Sequence, residues 1–424
     1  MEYVFSPVND FDRLEEQLRR LYGPAAAPVQ SVRYRGLIQE LEDTFGPAER
    51  IAVFSAPGRT EIGGNHTDHQ RGRVLAGSVN LDVIAAAAPN RDRVIRIQSE
   101  GFPMDVVELD DLEPRAEERN SSAAIVRGIA AWFAQRGCPL EGFDAYTTSS
   151  VLKGSGLSSS AAFEVLVANM INSLFYGGQC DAVTLAQVGQ YAENVYFGKP
   201  SGLLDQMASS VGGMVTIDFQ DNAHPVVERL DFDFAATGHA LCIVDSGADH
   251  ADLTDEYAAV TRELREVSAH FGKTVLREVP EEAFYAALPT LRLKAGDRAV
   301  LRAIHIYEDN RRVTEQVAAL GRGDFDTFLR LVRESGLSSW RLLQNVVPAG
   351  YTHHQEVAVA LALCEKLLGG RGACRVHGGG FAGTIQAFVP LEILPAFQEE
   401  MERVLGSGSC HVLTIRPVGG ARLV

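Results

Sequence analysis

The stretch VLKGSGLSSSAAFEVL, residues 151–166, decides the fold of its part of the chain. Valine and leucine at 151–152 predict the end of a strand, and the apolar run from Ala161 to Ile171 predicts a helix. The glycines between them let the backbone approach a ligand without a Cβ in the way, and the serines begin a helix whose first N–H groups point outward. This order predicts an anion site. A serine-capped buried helix with a flexible entry fits the same letters.

A second segment, SAPGRTEIGGNHTDHQRG at residues 55–72, interleaves charged and polar residues with glycines between two apolar runs. This pattern predicts polar side chains that converge on a polyhydroxylated ligand, with the backbone close by. A metal site on His66, Asp68 and His69 is the competing interpretation. The polar residues of the segment include Arg59, Glu61, Asn65, His66, Asp68 and His69.

A third segment, YAENVYFGKPSGLLDQMAS at residues 191–209, contains two separated carboxylates. Glu193 lies late on a predicted helix that Gly198 and Pro200 end, and Asp205 follows that turn. Two such carboxylates can serve as one metal ligand and one base, as phosphoryl transfer needs. Alternatively, Glu193 is a solvated helix residue and Asp205 is the N-cap of the next helix.

A fourth segment, ACRVHGGGFAGTIQAFV at residues 373–389, carries the letters G-x-G-x-x-G. A dinucleotide site with these letters follows a strand and opens a helix early in a βαβ unit. This segment lies near the C-terminus and opens onto strand-forming residues instead. A glycine turn packed against the anion site, or a tight structural loop, therefore fits better.

Together and in this order, the four segments resemble the galactokinase branch of the superfamily named for galactokinase, homoserine, mevalonate and phosphomevalonate kinases. APGRTEIGGNHTDH is similar to the signature G-R-V-N-L-I-G-E-H-T-D-Y of that branch. GSGLSSSAAFEV resembles its phosphate loop G-G-G-L-S-S-S-A, and HGGGFAGTIQAFV resembles its C-terminal loop T-G-A-G-F-G-G. AENVYFGKPSGLLDQ matches the usual carboxylate spacing. The resemblance covers about residues 50–390.

The resemblance implies an ATP-dependent sugar 1-kinase that phosphorylates the anomeric hydroxyl of galactose or a close relative. The resemblance implies that Asp205 is the carboxylate near that hydroxyl and that Arg59 is the cation that stabilises this carboxylate. It also implies three sets of ligand contacts: Ser160 and Glu193 for Mg²⁺; Gly154, Ser155, Gly156, Leu157, Ser158, Ser159 and Ser160 for ATP; and Asn65, His66, Asp68, Gly202 and Tyr257 for the sugar.

The chain departs from the signature at Asn65, where the family has a glutamate that typically meets the 6-hydroxyl of the sugar. Loss of a carboxylate there would remove repulsion toward a sugar oxidised at carbon 6. Plant galacturonate kinases are similar in this loop, including the sequence Asp68-His69-Gln70. We expect galactose and keep galacturonate as the alternative. A catalytically silent sugar and ATP sensor, and a kinase of a non-sugar alcohol, are further hypotheses.

Composition limits the class of protein. The 424 residues are 46% hydrophobic and 22% charged, which suits a globular protein with sizeable cores. The formal net charge of −16 disfavours nucleic-acid and anionic membrane surfaces as partners. No export signal or long apolar stretch is visible, and the six cysteines form no C-x-x-C pair. We therefore expect a cytoplasmic protein, as a monomer or weak homo-oligomer.

The mixture of strands and helices without regular alternation predicts an α+β architecture. We expect an N-terminal domain over residues 1–213 and a C-terminal domain over residues 214–424, with the active site between them. Predicted helices cover 11–21, 31–45, 255–271 and 297–320, and predicted strands include 74–88 and 93–100. Gly23-Pro24 and Pro28 separate the first two helices, which would form an arm packed on the body.

Overall fold

The computed structural model describes residues 9–151, 155–199, 201–248, 253–381 and 383–424. The helices are α1 (Asn9–Phe45), α2 (Ser122–Ala134), α3 (Ser159–Phe175), α4 (Ala182–Ala192), α5 (Leu204–Val211), α6 (Thr254–Ala269), α7 (Glu281–Ala286), α8 (Leu288–Lys294), α9 (Asp297–Gly321), α10 (Phe325–Ser338), α11 (Glu356–Leu368) and α12 (Leu394–Leu405). The strands are β1 (Ala52–Gly63), β2 (Arg73–Pro89), β3 (Val94–Ser99), β4 (Asp105–Glu108), β5 (Phe143–Ser149), β6 (Met214–Asp218), β7 (Val226–Leu230), β8 (His239–Asp245), β9 (Ala373–Val376), β10 (Thr384–Pro390), β11 (Cys410–Leu413) and β12 (Ala421–Arg422).

The larger sheet contains the two long strands β1 and β2, of which β1 carries Arg59, and the loop between them carries Asn65, His66 and Asp68. Within the described residues it has eight strands, in the order β12-β1-β2-β5-β3-β4, with β6 paired to β2 and β7 paired to β6. Its strand pairs are antiparallel except β3 with β5, which is parallel. The predicted α+β fold class is confirmed.

Helices cover both faces of the larger sheet, which explains why β2 reads as a continuous apolar run. Ala85 and Ala87 face one hydrophobic core together with residues of α2 and α3. Ile84 and Ala86 face a second core together with residues of α1. The N-terminal arm is therefore a structural layer of the sheet.

The arm, Asn9–Phe45, consists of two helices that meet at a kink, as the sequence predicts. The only non-helical backbone in it is at Gly23, with a φ of 78°. Pro24 directly after this kink occupies a first turn, where its missing N–H costs no hydrogen bond. The predicted break is thus confined to Gly23.

The smaller sheet lies in the C-terminal part. Among the described residues it has the order β11-β8-β10-β9 and is antiparallel throughout. Helices α11 and α12 pack their apolar residues against it to form a separate core. β9 and β10 flank the glycine turn that begins at Gly378, so the sheet holds this turn in place.

The division predicted at residues 213 and 214 stays a prediction. β6 and β7 follow that division, yet they extend the larger sheet, because Arg73 to Gly77 of β2 pair with β6. Strand β12 near the C-terminus also pairs with β1. Within the described ranges, no helix combines the length and the apolar character that a membrane crossing needs.

Candidate active site

The glycine–serine loop leads into α3, which begins at Ser159 as the sequence predicts. Gly156 has a φ of 69°, which strains any other residue, and a Cβ on it would crowd Nδ1 of His377 at 3.1 Å. Ser158 precedes the helix with a φ of 57°, and its hydroxyl makes no capping bond. The alternative of a serine-capped helix is therefore wrong. Gly154 lies outside the described residues.

Ser158 instead turns its hydroxyl toward the second predicted carboxylate. Its Oγ donates to Oδ2 of Asp205 at 2.5 Å. Asp205 lies in the first turn of α5, whose N-cap is Leu203, so the alternative of Asp205 as an N-cap is also wrong. The loop and the carboxylate, which are 47 residues apart in sequence, thus form one cluster.

Arg59 completes this cluster. Its Nε and Nη2 lie 2.8 and 2.7 Å from Oδ1 of Asp205, and its Nη1 donates to the backbone carbonyl of Gly156. Desolvation would raise the pKa of the Asp205 carboxyl, but Arg59 and the Ser158 hydroxyl outweigh it and hold this pKa below its ordinary value. The carboxylate is therefore ionised at neutral pH and can accept a hydrogen bond from a hydroxyl.

Arg59 and Asp205 line a polar cavity of about 200 Å³. The wall draws on the second and third predicted segments and on the glycine turn, which the sequence placed next to the anion site. The described wall consists of Arg59, Glu61, His66, Asp68, His69, Ser160, Ala161, Glu193, Lys199, Ser201, Gly202, Leu204, Asp205, Gln206, Gly378 and Gly379.

Three predicted sugar contacts lie on this wall. Nε2 of His66 is 3.0 Å from the carbonyl oxygen of Gly379. Burial and the neighbouring His69 lower the pKa of His66 to about 4, so its imidazole is neutral and donates this bond. A Cβ on Gly202 would lie 2.3 Å from Oδ2 of Asp68, so a larger residue there would displace the Asp68 carboxylate. His66, Asp68 and Gly202 therefore stay candidates for sugar binding.

The other two predicted sugar contacts lie behind the described wall. Asn65 is fully buried. The hydroxyl of Tyr257 donates to the carbonyl oxygen of Gly380 at 2.8 Å, and its ring abuts Gly379, where a Cβ would lie 2.6 Å from Cε1. Burial raises the pKa of Tyr257 to about 12. Tyr257 thus supports the glycine turn from behind.

Glu193 lies in a π-helical turn, Glu193–Phe197, that continues α4, and it is 5% exposed. The alternative of a solvated helix residue is wrong. Its Oε1 lies 3.2 Å from Nζ of Lys199, and its Oε2 accepts from Ser201 at 2.5 Å and from Gln206 at 2.9 Å. The side chain therefore has a fixed position on the cavity wall.

Gln206 joins two carboxylates. Its Nε2 donates to Glu193 and also to Oε2 of Glu164 at 2.8 Å. Burial and the nearby Glu193 raise the pKa of Glu164 well above its ordinary value. Oε1 of Gln206 is buried without a hydrogen-bond partner in the described part of the chain. Oxygen donors from Ser160 and Glu193, with this unpartnered oxygen nearby, suit a hard cation such as Mg²⁺.

A second, larger cavity of about 450 Å³ adjoins the first, because Ser160 and Glu193 belong to both walls. Its other residues are largely apolar or small. They include Val83, Phe102, Ile125, Val151, Phe163 and Phe197. An apolar cavity beside a glycine–serine loop suits a flat aromatic group that carries phosphates.

The competing metal interpretation of the second segment is wrong. Across the described ranges, no group of three or more histidine, cysteine, aspartate or glutamate side chains could hold a metal ion by itself. His66 uses its Nε2 for the glycine turn, and Asp68 faces Gly202. Both side chains are instead polar groups on the wall of the cavity.

Sequence reasoning missed several residues of the polar wall. Lys199, Ser201 and Gln206 flank the predicted carboxylates, so their adjacency was the only signal for them. Glu61 stood in the second segment, but nothing assigned it a role. Burial raises the pKa of the Glu61 carboxyl, although Arg375 and Arg59 act to lower it.

The fold and the two adjoining cavities define a class of small-molecule kinases, and comparison with known proteins agrees. The family model for the N-terminal domain of GHMP kinases matches residues 124–213. The galactokinase galactose-binding signature matches residues 39–89. The crystal structure of Lactococcus lactis galactokinase complexed with galactose superimposes with a TM-score of 0.78 at 25% identity, covering 92% of this chain and 99% of that one.

Two curated relatives narrow the class. A galactokinase of Streptomyces coelicolor is 31% identical over 410 residues, which cover 94% of this chain and 99% of that protein. A galactokinase of Glaesserella parasuis is 30% identical over 372 residues, which cover 85% and 90%. The chain belongs to the galactokinase family. It is a sugar 1-kinase that uses ATP, and the predicted family and reaction class are confirmed.

Proposed function

We propose that this enzyme transfers the γ-phosphoryl group of Mg²⁺–ATP to the anomeric hydroxyl of galactose. The observation that carries the proposal is the Arg59–Asp205 pair at 2.7–2.8 Å on the wall of the polar cavity. Galactose as the substrate is supported by the galactose-binding signature and by the galactose complex of the Lactococcus lactis relative.

Asp205 would accept the hydrogen bond of the anomeric hydroxyl and orient its oxygen. That oxygen forms a bond to the γ-phosphorus, the bond from phosphorus to the β–γ bridging oxygen breaks, and the hydroxyl proton goes to Asp205 or to solvent. Phosphoryl transfer depends mainly on such positioning and on compensation of charge. Arg59 compensates charge beside the reacting oxygen, and its bond to the Gly156 carbonyl couples it to the loop.

The nucleotide would lie with its base in the larger cavity and its phosphates over the described loop residues 155–160 and the start of α3. The apolar wall and the exposed N-terminus of α3 support this placement. Gly154 is included on sequence grounds alone. Ser160 and Glu193 would hold Mg²⁺, which when bound screens the phosphate charges.

His66, Asp68 and Gly202 would contact the ring hydroxyls, since all three line the polar cavity. Asn65 and Tyr257 would act on the sugar only through the wall that they support. We also place the enzyme in the cytoplasm, where its six cysteines, all within the described ranges and unpaired, would stay reduced. A monomer or weak homo-oligomer remains our expectation.

A kinase screen tests the proposal. ADP release is measured with galactose, galacturonate, glucuronate and N-acetylgalactosamine, each against a reaction without sugar. We expect galactose to give the highest kcat/KM. A higher kcat/KM for galacturonate would make galacturonate the substrate instead of galactose. The lack of any sugar-dependent turnover would favour the hypothesis of a catalytically silent sensor.

A further inference from the structure

In the second segment, a glutamate and an asparagine stand in each other's places relative to the family signature. The signature G-R-V-N-L-I-G-E-H-T-D-Y has asparagine at the place of Glu61 and glutamate at the place of Asn65. In the structure the two side chains touch, because Nδ2 of Asn65 donates to Oε1 of Glu61 at 3.0 Å. The carboxylate that is missing at position 65 is therefore present one hydrogen bond away.

The Asn65 amide is fully engaged by the protein. Its Nδ2 donates to Glu61 and to the Gly378 carbonyl, the latter at 2.7 Å. Its Oδ1 accepts from Ser339 at 3.1 Å and from Asn345 at 2.9 Å. An amide makes two bonds as donor and two as acceptor, so Asn65 has none left for a sugar. It fixes the glycine turn to β1.

Glu61, in contrast, lies on the described wall of the polar cavity. Arg375 donates to its Oε1 at 2.8 Å, and Asn65 donates to the same atom. In the described part of the chain, both side-chain bonds of Glu61 thus end at Oε1. Oε2 remains as an acceptor for a ligand in the cavity.

The partner cation cannot turn toward a ligand. Arg375 is buried, and its Nη1 and Nε donate to the carbonyl oxygens of Ile62 and Val376 at 3.0 and 3.1 Å. The cations on the described wall are Arg59 and Lys199, and both are already paired with carboxylates. A substrate carboxylate near Oε2 of Glu61 would therefore meet a second carboxylate whose paired cation, Arg375, faces away from the cavity.

We propose that Glu61 is the residue that makes the cavity accept a neutral sugar and reject a uronic acid. Its carboxylate accepts a hydrogen bond from a sugar hydroxyl and repels a carboxylate at the same place. The inference rests on the proposed function, since it takes the sugar to occupy this cavity. It assigns to Glu61 the choice between galactose and galacturonate that the sequence analysis connected with Asn65.

Two variants of Glu61 separate charge from shape. Glu61→Gln removes the charge and keeps the length, whereas Glu61→Asp keeps the charge and shortens the side chain. Glu61→Gln should lower the ratio of kcat/KM for galactose to that for galacturonate at least about tenfold. Glu61→Asp should raise the KM for galactose and leave galacturonate a poor substrate.

A double variant tests the exchange itself. Glu61→Asn with Asn65→Glu restores the order of the signature and keeps a carboxylate near Arg375. We expect it to recover the discrimination that Glu61→Asn alone loses. Glu392→Gln, at an exposed surface pair with Arg371, is the matched control. Thermal unfolding and galactose binding by calorimetry check each variant independently of activity.

An unchanged ratio in a folded Glu61→Gln variant, with galactose still phosphorylated by the wild type, would overturn this inference and leave the proposed function standing. If Glu61→Gln does not fold, an unchanged KM for galactose in Glu61→Asp, or a failed recovery in the double variant, would overturn it. No galactose turnover by the wild type would instead overturn the proposed function.

Discussion

The two cavities that meet at Ser160 and Glu193 differ in chemistry. The smaller has a wall of charged side chains whose positions are fixed by hydrogen bonds, as in the Arg59–Asp205 pair. The larger has a wall rich in aromatic and aliphatic groups, such as Phe163 and Ile125. A fixed polar wall discriminates by leaving buried groups unpaired against the wrong ligand, whereas an apolar wall discriminates weakly. Substitutions in the polar cavity should therefore cost more than those in the apolar one.

The largest effect is expected at the reacting hydroxyl. Asp205→Asn keeps the shape of the side chain but removes its ability to take a proton and its charge pairing with Arg59. Turnover should fall about 10²-fold or more, with the KM for ATP little changed. Steady-state kinetics measures both.

Asp297→Asn is the matched control, because Asp297 forms an exposed pair with Arg292. Near-normal turnover of Asp205→Asn would reduce Asp205 to a positioning residue and would weaken the contrast between the two cavities.

The next effect is expected where the cavities meet. Glu193→Gln removes a charged oxygen donor while keeping the contacts to Lys199, Ser201 and Gln206 within reach. The Mg²⁺ concentration for half-maximal activity should rise at least about tenfold, as loss of even an outer-sphere partner costs this much. Activity is measured across a Mg²⁺ titration after treatment with a chelator. Glu400→Gln, at a surface pair with Arg403, serves as control, and an unchanged Mg²⁺ requirement would remove Glu193 from the site.

A smaller effect is expected in the apolar cavity. Phe163→Ala removes an aromatic contact, and the KM for ATP should rise on the order of tenfold while the KM for galactose stays within about twofold. Leu293→Ala, at a side chain 89% exposed, is the matched control. A rise in the KM for galactose equal to that for ATP would show that the two ligands do not occupy separate cavities.

A separate effect, on stability rather than on activity, is expected at the buried His377. Burial, with Arg59 and Arg375, lowers the pKa of His377 to about 3, and its ring nitrogens contact Thr60 and Thr384 at 3.1 and 3.0 Å. Because the unfolded chain binds this proton near pH 6.5, the contribution to stability is complete above pH 6.5. It is lost as pH falls toward 3, by up to about 1.4 kcal/mol per pH unit.

Urea unfolding of the wild type and of His377→Gln between pH 7.5 and 4.5 measures this contribution. The variant should show a shallower decrease in the free energy of unfolding as pH falls. His224→Gln, at a side chain 85% exposed, should keep the slope of the wild type. Equal slopes for the wild type and His377→Gln would contradict a buried, neutral His377.

The sequence was sufficient to predict site residues in the segments where charged or polar side chains lie among glycines. The segments with Arg59, Ser158 and Asp205 were singled out from their letters, and the structure brings them within hydrogen-bonding distance. Such segments can be recognised in a sequence because glycine allows a close approach of the backbone and a helix N-terminus favours an anion. Helix α3 and strands β2 and β3 were predicted from the apolar residues of their own local sequence.

The sequence could not predict that Glu61, and not Asn65, faces the cavity. Every residue of β1 is buried, so alternation does not reveal which side chains face the cavity. The pairing of β1 with β2 also shifts register between Pro57 and Arg59 and again between Glu61 and Gly63. Each irregularity redirects the side chains that follow it. The position of Glu61 therefore depends on long-range pairing that no local pattern records.

The most direct test of the central claim is ³¹P nuclear magnetic resonance of the wild-type enzyme with Mg²⁺–ATP and galactose. One new signal besides those of ADP is expected, from galactose 1-phosphate in amounts equal to the ADP formed, because Asp205, which the Ser158 hydroxyl of the loop contacts, would orient the anomeric hydroxyl. ADP without a sugar phosphate, or a phosphate on another hydroxyl, would contradict it.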